Sequence, residues 1–450
     1  MNYSEMVVSN TMKYEAMKDS RLPWIRNIPS HWNVTRIKEF MQNVSEKNHP
    51  NATVLSLYRE YGILPKASRN DNHNVTSLDT ASYKLVHRGE LVINKMKAWQ
   101  GSLGVSDYEG IISPAYYVCR FMSDKIVKKY IHYLLRSKSY AQEFERLSTG
   151  MRVGQWDLGI DDFMSTPALI PPPNEQSAIA EYLDNQCAKI DTLIDEAKSS
   201  IEEYKKWKAS LIFEAVTKGL DPNVEMKDSG VKWLSKVPKK FNIKPLKQIV
   251  VNRNGGVWGN NPNGTENDRI CMRIADFSFD SGRFKEMPLS MYTLRNYTAS
   301  QIDKFTLQRG DICIEKSGGG EKTPVGRAVL FDLPLKALYA NFMESISVDS
   351  NIIMPEFVEY FWRGMYYKSV PTAYIKQTTG IQNLNISSLL EKEYILIPDK
   401  EEQKSIVEYL DSICATIDNL IDIKFKLIED IKLYKQSIIF ETVTGKRKVV

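Results

Sequence analysis

The chain has 450 residues, 42% of them hydrophobic and 26% charged, which excludes a wholly disordered or fibrous protein and allows two or three domains with separate cores. Sixty basic against 55 acidic residues leave a net charge of +5, which permits a polyanionic partner without requiring one. The five cysteines (Cys119, Cys187, Cys271, Cys313, Cys414) are odd in number, widely spread and never at a CxxC spacing, which argues against a disulfide framework or a zinc site and for a reducing cytoplasm.

In chain order, the first twenty residues contain no apolar core of a signal peptide, and no later segment approaches the ~20 apolar residues of a membrane helix. The expected protein is neither secreted nor membrane-spanning. The first landmark is DSRLPWIRNIPSHWNVTRIK, Asp19 to Lys38. HRGELVINK (His87 to Lys95) follows, a Gly-Glu turn running into a β-prone apolar stretch that predicts a strand. That strand enters the loop MKAWQGSLG, which carries Lys97, Trp99 and Gln100 just after Lys95. KIVKKYIHYLLRS (Lys125 to Ser137) reads as a helix, and STGMRVGQWDL (Ser148 to Leu158) is a glycine-bearing segment with Arg152 and Gln155. Ile170-Pro171 then ends an extended segment, and a helix begins near Glu175.

The chain then repeats itself. EQSAIAEYLDNQCAKIDTLIDEAKSSIEEYKKWKASLIFEAVTKG, from Glu175, matches EQKSIVEYLDSICATIDNLIDIKFKLIEDIKLYKQSIIFETVTGK, from Glu402, at about half its positions without a gap. DSGVKWLSKVPKKFNIKPLK (Asp228 to Lys247) repeats the first landmark, pairing Trp24 with Trp233 and Trp32 with Phe241. QRGDICIEK (Gln308 to Lys316) parallels HRGELVINK and enters SGGGEKTPVG, a loop with Ser317, Gly318 and Lys322. TTGIQNLNI (Thr378 to Ile386), just after Gln377, carries Thr379, Gln382 and Asn383 where the first copy has STGMRVGQWDL. The expected fold is α+β with a pseudo-two-fold internal repeat: domains at residues 1–173 and 221–400, each followed by a long helix, at 174–220 and 401–450.

The helices carry apolar residues every seven positions. Leu183, Ile190, Ile194, Ile201 and Leu211 in the first, and Leu410, Ile417, Ile421, Ile428 and Ile438 in the second, predict the seam of an antiparallel coiled coil. Lys208, Lys424 and Lys435 interrupt it. At ~1.5 Å per residue each helix would reach roughly 65 Å, and a single-striped helix of that length needs a partner.

Glu315 to Gly326, EKSGGGEKTPVG, invites a phosphate-cradle reading. A nucleotide-binding loop needs GxxxxGK[ST] leading into a helix, whereas here Glu321 precedes Lys322, and Pro324 with a β-prone run follows Thr323. The five histidines form no metal-binding spacing, and neither a GxSxG elbow, a dinucleotide fingerprint nor an adenine-methyltransferase Asn/Asp-Pro-Pro-Tyr/Phe motif is present. The chain reads as non-catalytic by itself, with no catalytic residues and no metal.

Two similar domains on a spacer suit a ligand with repeated features, and double-stranded DNA is the leading case because half-sites recur about every 34 Å. Lys95, Lys97, Lys316 and Lys322 would attract phosphate, while Gln100, Arg152, Gln155, Gln377, Gln382 and Asn383 would discriminate base edges, with Trp99, Ser317, Gly318 and Thr379 in the same loops. A loop lysine is in general only a solvated charge; recurrence at equivalent places is what favours the DNA reading.

The opening D-S-x-x-x-W-(I/L)-x-x-(I/V)-P-x-x-(W/F), used at Asp19 and Asp228, resembles that of specificity subunits of type I restriction-modification systems. So do INKMKAWQGSLGVSDYEGIISPAYYV (Ile93 to Val118), IEKSGGGEKTPVGRAVLF (Ile314 to Phe331) and the twice-used IP...EQxxIxxYLD...IDxLID helix. The resemblance covers nearly all of the chain after about residue 19. It implies two target-recognition domains, each reading one half of a bipartite DNA sequence, with helices that set the spacer. It also implies two methyltransferase subunits that bring S-adenosylmethionine, and optionally two ATP- and Mg2+-dependent restriction subunits, with no cofactor on this chain and no membrane. The alternatives are a methylation-only complex, a stand-alone bipartite DNA-binding protein and, with least support, a nucleotide hydrolase using Gly318 to Thr323.

Overall fold

The computed structural model describes residues 13–59, 61–69, 76–77, 80–150, 156–378 and 380–449. It divides into two units, residues 1–196 with 426–450, and residues 197–425. The division cuts through both long helices rather than between helices and domains.

In the first unit, the apolar run Leu91–Asn94 is an inner strand of a four-stranded antiparallel sheet. Its neighbours are Tyr116–Phe121, which continues to Met41–Val44, and Leu103–Val105. Leu91, Val92 and Ile93 have no exposure, as a continuous apolar run demands. The preceding turn is locked by Gly89 at φ +87° and by the Glu90 carboxylate, which accepts the His87 N–H at 2.9 Å. Asn33–Arg36 pairs with Pro167–Ile170, so the start of the globular part closes against its end.

The second unit repeats this skeleton. Ile312–Glu315 lies between Met343–Val348, which continues to Val250–Gly255, and Ala328–Leu330; the sheet then extends through Arg283–Phe284 to Phe277–Ser278. Gly310 at φ +97° and the Asp311 carboxylate, accepting the Gln308 N–H at 2.8 Å, remake the turn. Asn242–Pro245 pairs with Tyr394–Ile397.

The long helices run Pro173–Lys218 and Lys400–Val443. Their repeated EQxxIxxYLD opening is a docking motif. The Gln176 side chain accepts the Val127 N–H at 2.8 Å and donates to the carbonyls of Lys125 and Pro171 at 3.2 and 2.8 Å. Gln403 does the same with Met354 N–H at 2.8 Å and the carbonyls of Ile352 and Pro398 at 3.2 and 2.8 Å. Val127 and Met354 each precede a short helix, Lys128–Arg136 and Pro355–Tyr367, so a buried glutamine satisfies one of that helix's unpaired amides. Asp184 accepts the Tyr133 hydroxyl at 2.7 Å, and Asp411 accepts that of Tyr360 at 2.6 Å. Ile179 and Leu183 are buried in the core of the first unit, Ile406 and Leu410 in that of the second.

Each unit also takes the far end of the other helix. Val443 is buried beside Trp32 and Tyr130 in the first unit, and Val216 beside Phe241 and Trp362 in the second. The helix ends are glycine caps. Gly445 at φ +68° carries the paired bonds Gly445 N–H to Thr442 and Lys446 N–H to Glu441, and Gly219 at φ +74° the single bond to Ala215.

Within the first unit, Asp191 meets Lys435 and Tyr182 meets Arg447; within the second, Lys208 meets Asp418 and Gly219 lies against Glu402. The helical segments of each unit therefore run in opposite directions. Leu183, Ile190, Ile194, Ile201, Leu410, Ile417, Ile421, Ile428 and Ile438 are buried. Leu211 differs from the expected seam: it is half-buried and Ile212 is fully buried. A straight helix of 3.6 residues per turn drifts by about 20° per heptad, so after four heptads the inward line has moved to the next residue.

Candidate nucleic-acid interface

Two segments that the sequence singled out in each domain meet in space. In the first unit, Leu158 N–H donates to the Lys95 carbonyl at 3.0 Å, and Thr149 pairs with Asp157. In the second, Leu384 N–H donates to the Lys316 carbonyl at 2.8 Å, and Ser317–Gly318 pairs with Ile381–Leu384, which continues to Ile375–Thr378. In both cases the loop after the inner strand is stitched to a later glycine-bearing segment.

In the first unit the loop turns through a short 3-10 helix, Ala98–Gln100, ended by Gly101 at φ +76°. Lys95 forms an ion pair with Asp157 at 2.8 Å, and that hydrogen bond holds its ammonium above the ordinary lysine value. Trp99 donates its indole N–H to the Met96 carbonyl at 3.1 Å and tilts against Trp156 at 5.4 Å. Lys97 is exposed and Gln100 half-buried. Arg152 and Gln155 lie outside the described residues.

In the second unit the loop is anchored beneath by a buried carboxylate. Glu315, 1% exposed, receives two hydrogen bonds from the Arg327 guanidinium at 2.8 and 3.0 Å, and that guanidinium stacks on Phe279 at 3.5 Å. Ser317 donates to the Asn383 side chain at 2.6 Å, and the buried Gln382 accepts the Val325 N–H at 3.2 Å. Ser317 and Gln382 thus hold the loop, whereas Lys322 is exposed at its tip and Gln377 and Asn383 are exposed on the adjoining strands. Lys316 is half-exposed, and Gly318 at φ +121° starts the reversal. Thr379 lies outside the described residues.

The Glu315–Arg327 anchor escaped the sequence reading. The β-prone run ending at Glu315-Lys316 carries no sign of a partner for the carboxylate, and only the pairing of Ile314 with Ala328 places Arg327 beside Glu315. Among the described residues no group of three or more His, Cys, Asp or Glu side chains is placed to hold a metal ion, and no helix is long and apolar enough to cross a membrane.

A family model described as the type I restriction modification DNA specificity domain matches residues 29–203 and 287–432. Over 430 residues, 94% of each chain, the sequence is 25% identical to the type I restriction enzyme MjaVIII specificity subunit of Methanocaldococcus jannaschii. It is also 25% identical over 304 residues to the StySPI specificity subunit of Salmonella potsdam, spanning 66% of this chain and 60% of that one. Among solved structures, a chain from work on complex assembly and conformational transition of the type I restriction-modification system superposes with a TM-score of 0.67. The superposition spans 93% of this chain and 99% of that one at 13% identity, a likeness of fold.

Proposed function

Because this chain belongs to the type I restriction-modification DNA specificity family, we propose that its two globular parts each read one half of a bipartite DNA target. It is a specificity subunit, and DNA target recognition is its task. The observation that supports a two-part reader is the match in two segments, each running from a globular part into a long helix. The strand-loop constellations around Lys95 and Lys316 are the reading faces in this proposal. Their differing side chains give each half its own specificity.

The long helices act as an antiparallel coiled coil that holds the readers about a pseudo-two-fold axis and sets the untouched gap between half-sites. Two methyltransferase subunits dock on them and bring S-adenosylmethionine for adenine methylation. Restriction subunits, where present, bring ATP and Mg2+ chemistry. The chain itself binds no cofactor, catalyses nothing and works in the cytoplasm. Co-expression with a type I methyltransferase subunit, purification of the complex and sequencing of the DNA it methylates test this. The expected result is adenine methylation within one bipartite motif; an intact complex that leaves no such motif would overturn the proposal.

A further inference from the structure

We propose that the second domain reads one A·T base pair through a surface cleft lined by Trp258, Arg273, Asn341 and Phe342, a refinement that rests on the bipartite-reader reading. The cleft encloses about 430 Å3. Trp258 is 39% exposed and Phe342 51%, an unusual cost for two aromatic rings in one concavity unless something covers them. Asn341, immediately before Phe342 on the same turn, is exposed and lines the cleft, and its carboxamide makes no hydrogen bond among the described residues.

The walls are held in place. The Phe342 carbonyl accepts the backbone N–H groups of Lys316 and Ser317 at 2.8 and 3.1 Å, which ties this turn to the loop assigned above to DNA. On the other wall, the Arg295 guanidinium stacks over Trp258 at 4.6 Å and donates to its carbonyl at 3.2 Å. Gly256 has no room for a side chain, since a Cβ there would lie 2.2 Å from the Ala340 carbonyl; this lets the Trp258 segment pack against the turn backbone.

The chemistry selects the occupant. A free carboxamide presents a donor and an acceptor in one plane, which matches the N7 and amino group of adenine. An apolar wall beside it matches the thymine methyl group of the same pair, which a G·C pair lacks. Charge points to a polyanion as well. Arg295 donates only to neutral oxygens, of Trp258, Asn261 and Gly259, and Lys316 has no acidic partner among the described residues. Arg273 is committed to Asp276 at 3.0 Å and serves as wall.

The test uses the complete complex with its methyltransferase subunits. Motifs are read by sequencing DNA methylated by the wild type, Asn341→Ala and Phe342→Ala, with melting temperatures confirming that both exposed-site variants fold. The expected result is relaxation at one A·T position in one half of the motif, a roughly ten- to hundredfold loss of discrimination there, with the other half unchanged. Uracil in place of thymine at that position should weaken binding by the wild type but not by Phe342→Ala. An unchanged motif in both variants overturns the proposal. So does a uniform loss at all sequences, which marks a structural or phosphate role, and so does loss of subunit binding, which marks a protein interface. A wild-type complex without any bipartite motif would instead defeat the underlying reading.

Discussion

The Lys208 ammonium lies 2.6 and 2.7 Å from the two carboxylate oxygens of Asp418, so a lysine that interrupts the apolar stripe of one helix is the ion-pair partner of the other. It also donates to the Asp280 carbonyl. Asp191 and Lys435 form the same pair in the first unit, at 2.6 and 2.8 Å, with the residue types exchanged between the helices. The lysine side chains differ in exposure, 5% for Lys208 and 28% for Lys435, and that difference decides what each pair contributes.

Replacing Lys208 by Ala strands Asp418, which keeps only a third of its exposure. The expected destabilisation is about 2 kcal/mol, below the ~3–5 kcal/mol of a fully buried pair because Asp418 reaches solvent. Lys435→Ala should cost no more than about 1 kcal/mol, because its partner is 56% exposed. Urea unfolding of the two variants checks the order; equal losses would show that burial does not separate the pairs.

Glu359 predicts a pH dependence. Burial pushes its carboxyl up to about 7, although the Arg363 and Arg283 guanidinium groups, 3.4 and 3.2 Å away, pull the other way. A carboxyl raised in the folded state contributes stability that is fully present below its unfolded value near 4.5 and is lost as pH rises through about 7. Between pH 4.5 and 8 the wild type should lose about 3 kcal/mol relative to Glu359→Gln. Urea midpoints of both proteins at the two pH values measure this, and a constant difference would show that the carboxyl does not change its protonation.

The glycine run separates by geometry. Gly319 has φ +60° and a Cβ there would lie 2.8 Å from the Val325 nitrogen, so Gly319→Ala should distort the loop and cost roughly 1–3 kcal/mol. Gly320 has no atom within 4 Å of an added Cβ, so Gly320→Ala should be within about 0.5 kcal/mol of wild type. Melting temperatures decide; equal sensitivity would mean that the loop is not held as described.

Lys322 is exposed at the loop tip, so Lys322→Ala should leave the melting temperature unchanged. If the lysine meets a DNA phosphate in the complex, the slope of log affinity against log salt falls by about 1. An unaltered slope removes Lys322 from the interface, and ATP binding lost in the variant would revive the nucleotide reading.

A seven-residue insertion in one long helix should break the pairing of the helices, whereas matched insertions in both should restore it. The added heptad is worth ~10 Å, about three base pairs. Methylome sequencing of the matched variant should show a longer gap between unchanged half-sites, and an unchanged gap would refute the ruler.

Repetition made the architecture legible. The two copies of EQxxIxxYLD and of the Trp-Pro-Trp/Phe opening lie in local sequence, and period-seven stripes report helices because i, i+3 and i+4 share a face regardless of what lies opposite. The inner strands Leu91–Asn94 and Ile312–Glu315 were equally plain, since a short apolar run between turn residues has few other fates. What lies across the chain was not legible. Sequence alone marks Lys208 as a flaw, ends a β-prone run at Glu315 without a partner for it, and offers Gln382 as a base reader. The tertiary structure sets Asp418, Arg327 and Val325 beside them, from residues 210, 12 and 57 positions away. An ion pair or a hydrogen bond depends on separations of about 3 Å, and only the packed sheets and helices bring distant groups that close. Periodicity determined the elements, while long-range packing decided which polar groups are spent on holding the fold and which are left facing solvent.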